Sequence, residues 1–142
     1  MANIKKILFF LILLVVSSCV SPLTKQEKKQ LSQWKNNNFY VEEKKTSLGV
    51  GLGFLPGGGS FYGREYTIGI VNLLLWPVSI LWDPISGYNA TQQINYNATQ
   101  DNVNHLSRKE EKELDSMLQL EVINKETYII KKRSIDEKYY NY

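Results

Sequence analysis

The sequence predicts a mainly α-helical chain, and three patterns carry that expectation. Thr24 to Glu27 and Ser107 to Glu110 each have capping-box spacing, a hydroxyl at the N-cap and a carboxylate three residues on. Ala90, Ile94 and Ala98 form an i, i+4 ladder that Val103 and Leu106 extend. Residues 48–84 are apolar and glycine-rich, with Arg64, Glu65 and Asp83 as their only charges. The expected order is a Gly-rich apolar helical hairpin, a long polar helix, and a short C-terminal helical hairpin.

The chain opens with Lys5 and Lys6 ahead of the unbroken apolar run Ile7 to Val16. That run is too short to span a bilayer as a helix, but it suits a signal-peptide core. Val16-Ser17-Ser18-Cys19 follows, two small residues before the only cysteine of 142 residues. This segment resembles the bacterial lipobox. The resemblance implies a signal peptide over 1–18, cleavage before Cys19, and lipid on both its sulfur and its nitrogen. Several acyl chains, at about 0.8 kcal/mol per buried methylene, would make attachment permanent. Val20 stands where an aspartate would mark inner-membrane retention, so the implied address is the periplasmic face of the outer membrane. Loss of Lys5 and Lys6 would take 17 basic residues to 15 against 14 acidic ones. A near-neutral mature chain gives no electrostatic case for nucleic-acid binding.

Residues 19–47 are polar and Lys-rich and read as a tether. A short helix is expected over 25–36, with Leu31 and Trp34 on one face and Asn36-Asn37-Asn38 as its stop.

Composition changes at Leu48. Gly49, Gly51 and Gly53 alternate with Val50, Leu52 and Phe54, and Leu55-Pro56-Gly57-Gly58-Gly59 breaks the run. Tyr66 to Trp82 then carries no formal charge and, as one helix, would be ~26 Å long. Pro77 should kink it, and Asp83-Pro84 should end it. Tyr62, Tyr66, Trp76 and Trp82 supply aromatic groups of the kind found at membrane interfaces. A single span would carry the rest of the chain across the bilayer. A shallow, re-entrant or interfacial hairpin, bent at 56–60, keeps both ends on the anchored side. Small residues on its first arm let the second approach closely.

Phe61-Tyr62, Gly69-Ile70, Leu74 and Trp82-Asp83 resemble the signature of the small two-transmembrane-helix domain family. Ser60 and the position of Gly63 depart from it. The resemblance implies membrane association through Phe61, Tyr62, Tyr66, Gly69, Leu74, Trp76 and Trp82, and no enzymatic activity. The string Leu55 to Tyr62 also resembles a group of small bacterial lipoproteins.

Tyr88-Asn89-Ala90-Thr91-Gln92 recurs as Tyr96-Asn97-Ala98-Thr99-Gln100 within the polar helix expected over 85–108. Its Asn, Gln and Thr face is expected to be solvated. Ser107 should open a new charged helix, and Asn124 should cap a third after a break at Val122-Ile123. Leu114, Leu118, Ile123-Asn124, Glu126, Tyr128, Lys132 and Ile135 resemble the SHOCT short C-terminal domain, here part of 109–142. That resemblance implies oligomerisation through Leu114, Leu118, Ile123, Tyr128 and Ile135.

Catalytic chemistry finds no constellation. His105 is the only histidine and lies on a polar helix; Glu110, Glu111, Glu113 and Asp115 alternate with Lys109 and Lys112 as a solvated salt-bridged face. Gly57-Gly58-Gly59-Ser60 lacks the Lys-Ser/Thr of a phosphate loop. Arg64 could pair with Glu65 or Asp83, which bracket the apolar helix. Two classes of function remain. One is a noncatalytic, cofactor-free envelope lipoprotein, held to the membrane by its lipid and apolar hairpin, that self-associates or binds another envelope protein. The other is a soluble periplasmic binding module, with 61–82 as a core helix and the Gly-rich loop lining a ligand pocket.

Overall fold

The computed structural model describes residues 21–140; the signal peptide expected over 1–18 and the expected lipidation site Cys19 lie outside the described residues. Helix dominates and strands are absent among the described residues. In order come α1 (Lys25–Asn36), α2 (Thr46–Leu52), α3 (Gly58–Tyr62) and α4 (Tyr66–Leu74). A 3₁₀ turn (Val78–Leu81), α5 (Asp83–Gln119) and α6 (Lys125–Tyr140) follow. The chain divides into two compact units. One comprises Glu43–Asn95 together with the chain up to Thr24, where Leu23 is buried; the other comprises Lys25–Glu42 together with the chain from Tyr96 onward.

Three boundaries differ from the sequence expectation. The apolar run 66–82 is not one kinked helix. α4 ends at Leu74, and the chain turns through Trp76-Pro77 into the 3₁₀ turn. There Ser79 Oγ donates to the Asn72 carbonyl at 2.8 Å, taking up an acceptor at the end of α4. Asp83-Pro84 starts a helix and does not stop one. A proline in the first turn gives up an N–H that would have no intrahelical partner, and an acidic residue suits the positive end of the helix dipole. Ser107 lies inside α5, its hydroxyl 3.3 Å from Glu111 Oε1, so 85–108 and the charged segment form one continuous helix. Asn124 does cap α6, its Oδ1 accepting the Thr127 N–H at 2.8 Å.

The first unit is a chain of four short passes. Thr46 of α2 lies beside Gln92 of α5, with Nε2 to Oγ1 at 3.4 Å. α2 then runs along α5, with Gly49 against Gly87 and Gly53 against Pro84. α3 returns along α5, with Gly59 against the Asp83 carbonyl and Gly63 against Ala90. α4 goes out again beside α3, its Gly69 under the Phe61 ring and its Asn72 level with Ser60. The glycine contacts bring backbone close to backbone, to the Ala90 methyl or, at Gly69, to the Phe61 ring, which a residue without a Cβ allows. Gly57 also has φ of 69°, the left-handed region open to glycine.

The second unit has an ordinary apolar core. Leu31, Trp34, Val103, Leu114, Ile135 and Tyr139 are buried. The Trp34 and Tyr96 rings lie 5.5 Å apart, those of Phe39 and Tyr139 5.1 Å apart. Residues 25–42 are therefore packed elements of this unit and not a free tether. The extended segment after α1 is held by polar side chains of α5. Asn102 Nδ2 donates to the Phe39 carbonyl at 3.1 Å, and Thr99 Oγ1 accepts the Val41 N–H at 3.1 Å.

Gly87→Ala should destabilise the first unit, because the added Cβ would sit 2.3 Å from the Gly49 carbonyl oxygen. Overpacking of this kind costs about 1–3 kcal/mol. Thermal melts of the purified protein, followed by far-UV circular dichroism, should show a lowered first transition; an unchanged melt would count against this packing.

Candidate functional site

Every buried residue from Glu43 to Asn95 is glycine, alanine or polar. Buried side chains of the polar kind are Ser60, Asn72, Ser79, Asp83, Ser86, Thr91 and Asn95. No leucine, isoleucine, valine, methionine or aromatic residue of that span is buried. The large apolar side chains lie on the outside instead: Leu74 is 77% exposed and Leu81 74%, with Phe54, Leu55, Leu73, Trp76, Val78 and Ile85 also exposed. This is the reverse of a water-soluble core.

The polar interior converges on Asp83, which is 0% exposed. Its Oδ2 accepts the Gly59 N–H at 3.1 Å. Its Oδ1 accepts the Ser60 N–H at 3.1 Å, the Ser60 hydroxyl at 2.5 Å and the Asn72 amide at 2.7 Å. Asn72 Nδ2 also donates to Ser60 Oγ at 3.0 Å, and its Oδ1 accepts the Trp82 indole N–H at 2.8 Å. The carboxylate thus caps the exposed amides of α3 and ties α3, α4 and α5 together. Hydrogen bonds to a charged group contribute about 1.5–3 kcal/mol each, and an unpaired carboxylate here would be very costly. Asp83 therefore does more than mark the start of α5, and it does not pair with Arg64, whose guanidinium pairs with Glu43.

The unit has two chemically different ends. The distal end comprises 52–58 and 70–86, brought together where Gly53 meets Pro84 and Ser60 and Asn72 meet Asp83. Every exposed residue in those two stretches is apolar. Their turns are closed by backbone bonds such as Leu55 N–H to the Leu52 carbonyl (2.9 Å), Val78 N–H to Leu75 (2.9 Å) and Trp82 N–H to Ser79 (3.1 Å). Pro56, Pro77 and Pro84 bring no N–H at all.

The proximal end carries the charge. Asn95 clamps Lys44, accepting its N–H and donating to its carbonyl, both at 2.8 Å. Lys45 N–H donates to Tyr62 Oη at 3.1 Å, and Lys44 Nζ lies 4.4 Å from the Tyr62 ring centre. Both ends of the 43–95 segment, at Glu43 and Asn95, lie at this end. So the chain enters and departs on one side, as a hairpin does.

The residues singled out for membrane contact separate accordingly. Tyr66, Leu74 and Trp76 are exposed; Gly69 is buried; Phe61, Tyr62 and Trp82 are half-buried. Trp82 belongs to the interior network, and Phe61 covers Gly69. The Gly-rich loop is filled by protein: a Cβ at Gly57 would meet the Gly69 carbonyl at 2.3 Å, and one at Gly58 the Leu52 carbonyl at 2.3 Å. Ser60, Ser79 and Asp83 were not legible as partners from sequence. The available signal was Asn72, a polar residue within an apolar run that demands buried partners.

In the second unit, the association residues are also divided. Leu114 and Ile135 are buried, and Leu118, Ile123 and Tyr128 are half-buried, with Tyr128 Oη donating to Asp115 Oδ1 at 2.8 Å. Lys138 and Tyr139 both donate to Glu110 Oε1, at 2.5 and 2.8 Å. The Lys138 hydrogen bond holds the Glu110 carboxyl below its ordinary range. What stays exposed is Met117, Leu120, Val122, Ile129 and Ile130. His105 is exposed on α5. No cluster of three or more His, Cys, Asp or Glu side chains able to hold a metal occurs among the described residues.

Compared with protein-family models, with curated proteins and with solved structures, the chain matches none. Among the described residues no helix is long and apolar enough to cross a membrane.

Asn72→Leu tests the network. It removes two donors from Ser60 and Asp83 and strands the Trp82 N–H, a loss of about 3 kcal/mol or more if each group left unpaired costs 1–3. Tryptophan emission and the thermal midpoint should both shift; a variant as stable as the parent would show that the polar interior is dispensable.

Proposed function

We propose that this chain is a noncatalytic, lipid-anchored bacterial envelope protein that associates with the membrane through its 43–95 unit. Its second unit carries self-association or the binding of another envelope protein. The carrying observation is the polarity of the first unit: small and polar inside, apolar outside, with every exposed distal residue apolar. A hydrocarbon surrounding favours that arrangement. There apolar side chains gain nothing by burial, small residues let helices approach closely, and polar side chains must pair internally. The lipobox-like segment ending at Cys19 supports the same reading, because acyl chains there would hold the chain at a membrane surface within reach of the apolar unit. The second unit supports a water-facing role, since its polarity is that of a soluble fold. The resemblance to SHOCT supports association.

Two experiments test the parts separately. Cys19→Ala should abolish incorporation of labelled palmitate in cells, since no other cysteine exists. The same variant, exported by an ordinary cleavable signal, should still sediment with membranes after a high-salt wash. Equal labelling sinks the anchor, and a monodisperse soluble protein sinks the apolar unit as a membrane element.

For association, removal of residues 122–142 is a poor test, because it strips Ile135 and Tyr139 from the core. Ile130→Ser changes an exposed position and should leave stability within about 0.5 kcal/mol. It should reduce a chemically crosslinked oligomer or complex in intact cells. Identical crosslinking in variant and parent would remove this face from the interface.

A further inference from the structure

We infer that the 43–95 unit is a one-leaflet wedge: its distal end lies among acyl chains, and its proximal end lies at the phospholipid headgroups. The inference rests on the membrane reading above and adds the occupant of the apolar surface and the orientation of the unit within it.

Charge placement fixes the orientation. The unit contains Glu43, Lys44, Lys45, Arg64, Glu65 and Asp83. Asp83 is fully buried and hydrogen-bonded by four donors. All the others lie on two segments, 43–45 and 64–65, which the contacts of Tyr62 with Lys44 and Lys45 and of Arg64 with Glu43 bring to one end. Arg64 is matched by Glu43, which leaves two lysines and Glu65 to meet a layer of phosphates and amines. The opposite end exposes only apolar side chains.

Length fixes the depth. α4 starts beside Arg64 and Glu65 and reaches Leu74 over nine residues, ~12 Å at 1.5 Å per residue. α5 returns from Asp83 to Asn95 over ~18 Å at the same rise. Half of a ~30 Å hydrocarbon core is ~15 Å, so these passes match one leaflet and fall short of two. Backbone chemistry favours the immersion, because the turns at 52–55, 75–78 and 79–82 close hydrogen bonds of their own and Pro56, Pro77 and Pro84 bring no N–H. A second copy of the chain would cover part of such a surface, but it would not account for charge confined to the end where Glu43 and Asn95 lie.

Nitroxide labels at single cysteines replacing Leu74, Tyr88 and Lys45 test this in the mature, lipidated protein, whose Cys19 thiol is blocked. All three positions are exposed. The protein is reconstituted in phosphatidylethanolamine–phosphatidylglycerol vesicles, and flotation is recorded alongside. Collision with oxygen, enriched among acyl chains, is compared with collision with a water-soluble nickel chelate. The oxygen-to-nickel ratio should fall several-fold from Leu74 through Tyr88 to Lys45. A Leu74 label shielded from both reagents would mean that protein covers the face, overturning the inference while flotation leaves the lipid anchor standing. A nickel-accessible Leu74 label, or a reversed depth order, overturns it as well. Failure to float defeats both readings together.

Discussion

The first unit depends on one row of α5. Asp83, Gly87, Thr91 and Asn95 follow one another at intervals of four, and all are buried. They meet three parts of the chain, Gly87 and Thr91 both facing Gly49. Asp83 takes the amides of Gly59 and Ser60, Gly87 admits Gly49, and Asn95 holds both backbone groups of Lys44. The i±4 row of a helix is inclined to its axis, so successive members point progressively around it. Short helices that bury little apolar surface can still be held by such a row, because each contact fixes a backbone position and not merely an area. The row continues as Thr99, Val103 and Ser107, where it serves the second unit.

This explains what could and could not be read in advance. Helical content, α1, the cap at Asn124 and the apolar stretch were legible, since caps and composition are local properties. The orientation of α5 was not. Of its expected stripe, Ala90 and Val103 are buried but Ile94, Ala98 and Leu106 are only half-buried, while Thr91, Asn95 and Thr99, expected in solvent, are fully covered. Hydrophobic periodicity assigns the inside correctly when the surroundings are water. It fails where side-chain amides and hydroxyls satisfy an extended backbone running alongside, as Asn95 does for Lys44 and Thr99 for Val41. The same failure made Asp83-Pro84 look like a terminator. A helix start and a helix stop share those residues, and only the partners of the carboxylate decide between them.

The candidate surface was legible in part. Leu74, Trp76 and Tyr66, all expected to make membrane contact, are exposed, whereas Trp82 is recruited inward by Asn72. No spacing rule separates these aromatics, because the break at Leu75–Pro77 resets the helical phase. In the second unit a similar sorting turns the expected association seam into core at Leu114 and Ile135. Its exposed apolar surface is shifted to Met117, Leu120, Val122, Ile129 and Ile130.

The glycine-and-amide interior of the first unit has a thermodynamic signature. The heat-capacity increment of unfolding grows with apolar surface newly exposed and is diminished by polar surface. A unit whose interior is glycine, serine, asparagine and aspartate, and whose leucines already face outward, exposes little new hydrocarbon when it opens. Its stability curve should be flat with temperature, and cold should not loosen it as it loosens a Leu-packed core. The second unit, built around the buried Trp34, Leu114 and Tyr139, should show the curvature of an ordinary domain. One polypeptide thus carries two heat-capacity regimes on a single uninterrupted helix.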